Sequence, residues 1–294
     1  MLIQEKLKHR EMFSNVENVI ADYILERGSA LKNESARHIA AAVFAAPSSI
    51  VRFCQKLGYS GYAQFQKDWL KELDYLSSHF QNVDANRPFE PEDPICVVAN
   101  KLSTLYQETI ADTLSLQHAE QLAQAVRYCN QENVIYFCSA GAQSGIAAAF
   151  EDKMAKIGKT VLLVGRNDVL FHHACNCGPN DCFILFSYSG ETPNILRVAQ
   201  KLKKRKVHTV VITSFGNNTL ANWFPCRLFV STRERLVSNL GSFSTHLSAL
   251  FLLDLIYAGI MNQDFEYLYH VKQKNSQEFE QFRHSENPIL QDLP

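Results

Sequence analysis

The chain lacks an excess of charge: 29 Lys and Arg stand against 30 Asp and Glu, a formal net charge of −1 in 294 residues. That balance excludes a globally basic nucleic-acid coat. A long apolar run is missing too. The longest, Leu247–Met261, is broken by Ser248 and Asp254 and falls short of the roughly 20 residues a spanning helix needs. Met1–Glu11 is charged and has no apolar leader core, so a soluble cytoplasmic protein with no membrane association is expected. No repeat or low-complexity tract is present. Standard zinc spacing is absent as well: His172, His173, Cys175, Cys177 and Cys182 match no such pattern, and neither a metal nor a cofactor is expected. The eight Cys stand in apolar surroundings such as Phe53-Cys54 and Phe137-Cys138, as reduced, buried thiols do.

What is present is enough apolar residue, 46%, to build one large or two ordinary domains. The first 77 residues carry no strand signal. Phe13, Val16, Val19, Ile20, Tyr23 and Ile24 recur at helical spacing up to Gly28. A short helix begins at Glu34, a third runs Pro47–Leu57 to Gly58, and a fourth from Gly61 places Tyr62, Phe65, Trp69, Leu70 and Leu73 on one face. A polar stretch with Pro88, Pro91 and Pro94 reads as a linker. Two helices are then expected, over 97–116 and 119–129.

From residue 133 the pattern alternates. Strands are expected over 134–138, 161–164, 182–186, 207–213 and 227–230, with helices over 144–157 and 194–204 and a last apolar helix over 240–260. Short apolar strands separated by helices imply a doubly wound α/β fold with a five-stranded parallel sheet. The expected division is a helical domain over 1–77, a linker over 78–96, an α/β domain over 97–262 and a tail over 263–294 to which no role is assigned.

Phe186-Ser187-Tyr188-Ser189-Gly190-Glu191-Thr192-Pro193 falls between a buried strand and a helix. Thr192 suits the N-cap and Pro193 the first helical position. Backbone amides and the positive end of the helix dipole then face the same spot as the hydroxyls of Ser187, Ser189 and Thr192, around Gly190. Capping alone needs one hydroxyl, so an anion site, most simply for phosphate, is expected. It lies at the carboxyl ends of the strands, where such sheets bind ligands.

In the helical half, two short helices meet at Phe44-Ala45-Ala46 with helix-turn-helix spacing. A recognition helix of this kind enters the major groove with its N-terminal residues at base edges, which selects Ser48, Ser49 and Arg52. Lys56 and Lys67 are the expected phosphate contacts, and Arg37 belongs to the same patch. From Lys32 to Lys67 there are four more cations than anions, sufficient to attract double-stranded DNA locally.

Read together, His38-Ile39-Ala40, Pro47 through Tyr59 and Gly61 through Phe65 resemble the N-terminal domain of the RpiR family of bacterial transcription regulators. Ser187 through Thr192 resembles the sugar-phosphate loop of the sugar isomerase (SIS) domain those regulators carry, and Val211 through Gly216 matches a later strand and turn. The resemblance spans roughly residues 1–260. It implies a DNA-binding regulator of sugar metabolism, not an enzyme, that senses a phosphorylated sugar. Two departures stand out. The family's glycine-rich first turn, G-x-G-x-S, is replaced by Ser139-Ala140-Gly141-Ala142-Gln143-Ser144, so Ser139 and Gly141 are candidates and either Gln143 or Ser144 takes the place of the family serine. Ala46 stands where a capping Ser is usual, a loss of about 1 kcal/mol that Pro47 partly offsets. Glu234 and His246 are candidate sugar contacts, or an acid–base pair if the domain were a sugar-phosphate isomerase. A homodimer or homotetramer built through 97–116 and 240–260 is expected, gripping a palindromic operator.

Overall fold

The computed structural model describes residues 3–79, 82–132, 134–139, 144–178, 180–279, 287 and 289. Its first part is helical. α1 (Ile3–Lys8) was not expected. Its first two amides, Ile3 and Gln4, donate to the Glu72 carboxylate at 2.5 and 2.6 Å. α2 (Asn15–Arg27) opens with a reciprocal capping box: Glu17 N–H donates to Ser14 Oγ, and Ser14 N–H donates to Glu17 Oε2. α3 (Ala36–Ala42) is capped by Ser35, whose hydroxyl accepts from His38 N–H.

α3 ends with Ala45 N–H donating to Ala40 O and Phe44 N–H to Ala41 O, and Phe44 takes the left-handed position at φ +51°. α4 (Pro47–Lys56) follows with no side-chain cap at Ala46 and Pro47 in its first turn. α5 (Tyr62–His79) closes the bundle. Ile20, Ile24, Ile39, Ile50, Phe53, Phe65 and Trp69 are buried together. Val16 and Val19, expected on the inner face of α2, stay about half exposed.

α5 continues to His79 and α6 (Ile95–Ser115) starts at Ile95, so the stretch between them is shorter than the polar composition implied. It is also tied down. Arg233 donates to Val83 O at 2.6 Å, Arg235 N–H to Asn86 Oδ1 at 2.7 Å, and Leu240 N–H to Asn86 O at 3.0 Å, with Ala85 buried beneath.

α7 (Ala119–Gln131) leads into β1 (Val134–Ser139), α8 (Ser144–Lys156), β2 (Thr160–Leu163), α9 (Asn167–Asn176), β3 (Asp181–Ser187), α10 (Pro193–Arg205), β4 (His208–Ser214), α11 (Thr219–Trp223), β5 (Arg227–Val230), α12 (Phe243–Gln263) and α13 (Phe265–Phe279). The strands form one parallel sheet in the order β2-β1-β3-β4-β5. All five expected strands are there. Phe150, Met154, Leu252, Leu253 and Ile256 cover one face; Leu170, Ile195, Val198, Leu202 and Leu220 cover the other. A strand such as β3, with Cys182 through Ser187 buried, can only exist between two such layers.

α12 has the length and apolar content of a membrane-crossing helix. Here Ser244, Ser248, Leu252, Ile256 and Ile260 are buried within the domain. Thr109 Oγ1 donates to Ser244 Oγ at 3.0 Å, and the Thr113 and Ser248 hydroxyls meet at 2.8 Å, so α6 and α12 are joined by a buried polar ladder. The first half of the expected tail is helical: α13 buries Leu268 against the same core. The His172–Cys177 stretch belongs to α9 and the turn after it, with His173 packed on Tyr136. Among the described residues no group of three His, Cys, Asp or Glu is placed to hold a metal ion. Six cysteines are buried, but Cys96 is exposed and Cys175 partly so, contrary to uniform burial.

Candidate functional site

β3 delivers its last residue, Ser187, to the sheet edge as a buried side chain. The Ser187 and Thr192 hydroxyls share a 2.8 Å hydrogen bond. Gly190 N–H donates to Ser187 O at 3.1 Å and to its Oγ at 3.2 Å, while Glu191 N–H donates to Ser189 Oγ at 3.1 Å. Thr192 occupies the N-cap of α10 without capping it, because its hydroxyl turns to Ser187 instead. The helix start, with Pro193 in its first turn, therefore has no side-chain oxygen on its amides.

Gly190 is required here on two grounds. Its φ is +68°, and a Cβ would fall 2.0 Å from Asn218 Oδ1. Asn218 caps α11 by accepting from Ala221 N–H at 2.9 Å and donates to Ser214 O at 3.1 Å. Thr219 N–H donates to Glu191 Oε1 at 2.7 Å and Leu220 N–H to Gly190 O at 3.2 Å. The turns after β3 and β4 are thus stitched into one rigid rim.

That rim walls a cavity of about 1220 Å³. Tyr188, Ser189 and Glu191 line it from the β3 turn, Ser214, Asn217 and Asn218 from the β4 turn, and 232–238 from the segment after β5. Residues 82–86 close one side, and Gln4, Lys6 and His9 reach in from the helical half. The charges differ in availability. Arg233 is buried in an ion pair with Glu108 at 2.7 Å. Asp84 accepts from Asn86 N–H and Nδ2 at 2.9 and 3.0 Å. Lys6 and Arg235 make no ion pair with the described residues. Burial lowers the Lys6 pKa, opposed by the charges of Glu72 and Glu191.

On the helical half, Arg37, Ser48 and Arg52 are exposed together with Lys67, and Ser49 is half-buried. Lys56 departs from a free phosphate contact: its Nζ pairs with Glu17 Oε2 at 2.8 Å and lies 5.7 Å from the centre of the Phe13 ring. The pair holds the Glu17 carboxyl below its usual range. Phe44, at the helix-turn-helix corner, is fully exposed.

The rpiR family helix-turn-helix model matches residues 1–74, and the SIS domain model matches residues 129–258. The chain belongs to the RpiR family. It is a helix-turn-helix transcription regulator with a SIS domain. An uncharacterized HTH-type transcriptional regulator of Caldanaerobacter subterraneus subsp. tengcongensis is 26% identical over 251 residues, 84% of this chain and 87% of that one. Another, from Bacillus subtilis, is 22% identical over 266 residues, 90% of this chain and 92% of its own. Among solved structures, the Vibrio vulnificus NanR protein complexed with ManNAc-6P has the same fold, with a TM-score of 0.61 and 22% identity over 96% of this chain and 99% of that one. The sugar isomerase domain of an RpiR transcription factor from Sphaerobacter thermophilus matches at a TM-score of 0.53 and 18% identity, over 61% and 98% of the two chains.

Within this SIS domain, the expected site residues divide. Ser187, Ser189, Gly190 and Thr192 converge on one turn, with Ser189 on the cavity wall. Ser139 ends β1, half-buried, opposite Phe186. Gly141 and Gln143 lie outside the described residues, and Ser144 opens α8 with its side chain outside them. Glu234 lines the cavity but its carboxylate is engaged elsewhere: Ser244 N–H, Thr245 N–H and Thr245 Oγ1 donate to it at 3.0, 3.0 and 2.5 Å. It caps the start of α12, a role the sequence reading did not include. His246 is half-buried on α12 and does not line the cavity.

Other residues on the cavity wall were not among those expected. Tyr188 donates its hydroxyl to Glu234 O at 2.6 Å and accepts from Glu234 N–H at 3.1 Å, holding the third cavity wall to the first. Asn218 was legible as an N-cap before Thr219. Lys6 and His9 carried no signal, since nothing local in the sequence puts residue 6 beside residue 191.

Proposed function

We propose that this regulator binds double-stranded operator DNA through α3–α4 and senses a phosphorylated sugar in its SIS domain. The observation that carries the reading is the α10 start without a side-chain cap, set beside the Ser187, Ser189 and Thr192 hydroxyls, with Ser189 on the wall of the cavity. Amides, dipole and hydroxyls converge there as a phosphate dianion requires. Ser139, Gly141 and either Gln143 or Ser144 read the sugar from the neighbouring strand end. ManNAc-6P, the compound named with NanR, belongs to the chemical class that suits such a cavity.

Arg52, Ser48 and Ser49 read bases, and Arg37 and Lys67 hold phosphates. The active species is a homodimer or homotetramer. Tyr106, Ile110 and Leu114 form an exposed stripe along α6, and Leu236, Val237 and Leu240 are exposed ahead of α12; these support self-association. A helical domain over 1–77 and a SIS domain over 97–262 remain the working division.

An isomerase would need a base poised over the sugar carbons. Glu234 is held by three donors and His246 is not among the residues that line the cavity, so the pair is not assembled for that work. Thermal-shift screening against hexose 6-phosphates tests the proposal. A ligand that binds only the folded protein must raise Tm. Ser189→Ala with Thr192→Ala should remove that rise while operator binding persists. A full response from the double variant, or turnover of the sugar phosphate at enzymatic rates without a DNA gel shift, overturns it.

A further inference from the structure

We propose that Lys6, in the DNA-binding half, is an anion ligand of the SIS cavity, so that a bound sugar phosphate is held by both domains at once. The inference rests on the phosphate-loop reading above. Three observations carry it. Lys6 lines the same cavity as Ser189 and Glu191, two residues of the phosphate turn. Its ammonium makes no ion pair with the described residues: it donates to Leu57 O at 3.4 Å, the Tyr59 ring centre lies 5.9 Å away, and the Glu72 and Glu191 charges act on it only from beyond ion-pair distance. Arg233, the buried cation of that cavity, is already paired with Glu108. A half-buried cation with no directly paired carboxylate gains from an arriving anion.

The placement also answers a problem within the turn. Glu191 is an anion beside the expected phosphate, and Lys6 offsets its charge. The two halves also come close at a second point on this rim, where a Cβ built on Gly58 would lie 3.9 Å from Asn217 Nδ2. A ligand gripped by Lys6 then binds unequally to arrangements with the helical half docked or lifted, and that difference is what couples effector to operator.

The probe is inorganic phosphate, titrated calorimetrically at constant ionic strength against the full chain. Lys6→Met keeps the aliphatic stem and removes the charge; it should weaken phosphate about fivefold, as loss of a partly exposed ion pair does. Lys6→Arg should bind like wild type. Lys8→Ala removes the same unit of charge from an exposed neighbour and should change nothing. Wild-type affinity in Lys6→Met, with phosphate lost in Ser189→Ala/Thr192→Ala, overturns the Lys6 assignment and leaves the phosphate loop standing. Equal weakening by Lys8→Ala reduces the effect to general charge and also overturns it. No binding to wild type, or full binding to the Ser189/Thr192 variant, removes the loop reading and this inference with it.

Discussion

At the scale of single residues, two positive-φ positions make opposite demands. Gly190 has no room for a methyl group, because Asn218 Oδ1 would lie 2.0 Å from it and the backbone is left-handed. Gly190→Ala should cost about 2–3 kcal/mol in urea melts and abolish the phosphate-induced rise in Tm, by displacing Asn218 and with it the start of α11. Phe44 is the reverse case: a bulky residue at φ +51° with its side chain fully exposed. Phe44→Gly removes that strain and no packing, so a gain of about 0.5–1 kcal/mol is expected in the same melts; unchanged or lowered stability would show that the Phe44 side chain is engaged. The hydroxyls of the phosphate turn were legible because they cluster in sequence. The capping role of Glu234 is not legible, for the converse reason. Its carboxylate works on amides ten and eleven residues later, and no local pattern marks that reach.

At the scale of elements, what was legible followed from periodicity. β1 to β5 and α4, α6, α7, α8 and α10 have apolar spacing long enough to identify. α1 has six residues and only Ile3 and Leu7 to bury, too short a stripe to identify; its start is fixed by Glu72, sixty-nine positions away. That bond sets a pH dependence. Burial raises the Glu72 carboxyl to about 7, against two backbone hydrogen bonds and Lys6 that pull it down. A carboxyl whose folded pKa exceeds its unfolded value holds its proton more tightly when folded. Its share of stability is therefore complete below about 4.5 and lost as pH rises to about 7, at most roughly 3 kcal/mol. Stability of wild type minus Glu72→Gln should fall across that window and stay level above it. A flat difference from pH 4.5 to 8 would mean that Glu72 titrates normally and that α1 is not held by a buried carboxylate.

At the scale of the whole molecule, the helical half and the α/β half bury separate cores and share one cavity wall; the change from helical to alternating pattern is legible in the sequence, and the contact is not. The linker looked like a spacer because it is polar and rich in proline. Its Val83 and Asn86 instead carry hydrogen bonds to the segment after β5, which brings α1 to the rim. Distance still separates the two functions. Arg52 is exposed on α4 and takes no part in the cavity. Arg52→Ala should weaken operator binding tenfold or more, by losing a guanidinium contact to base or phosphate, and leave phosphate affinity unchanged. Coupling is a different quantity from either affinity. If effector changes operator affinity by some factor, operator must change effector affinity by the same factor, because both close one thermodynamic cycle. Since Arg52 does not distinguish the docked arrangement from the lifted one, that factor should survive in Arg52→Ala and shrink toward one in Lys6→Met. Fluorescence anisotropy with labelled operator, with and without saturating sugar phosphate, measures it in each variant. A coupling factor lost in Arg52→Ala but kept in Lys6→Met would place the switch at the DNA face rather than at the cavity wall.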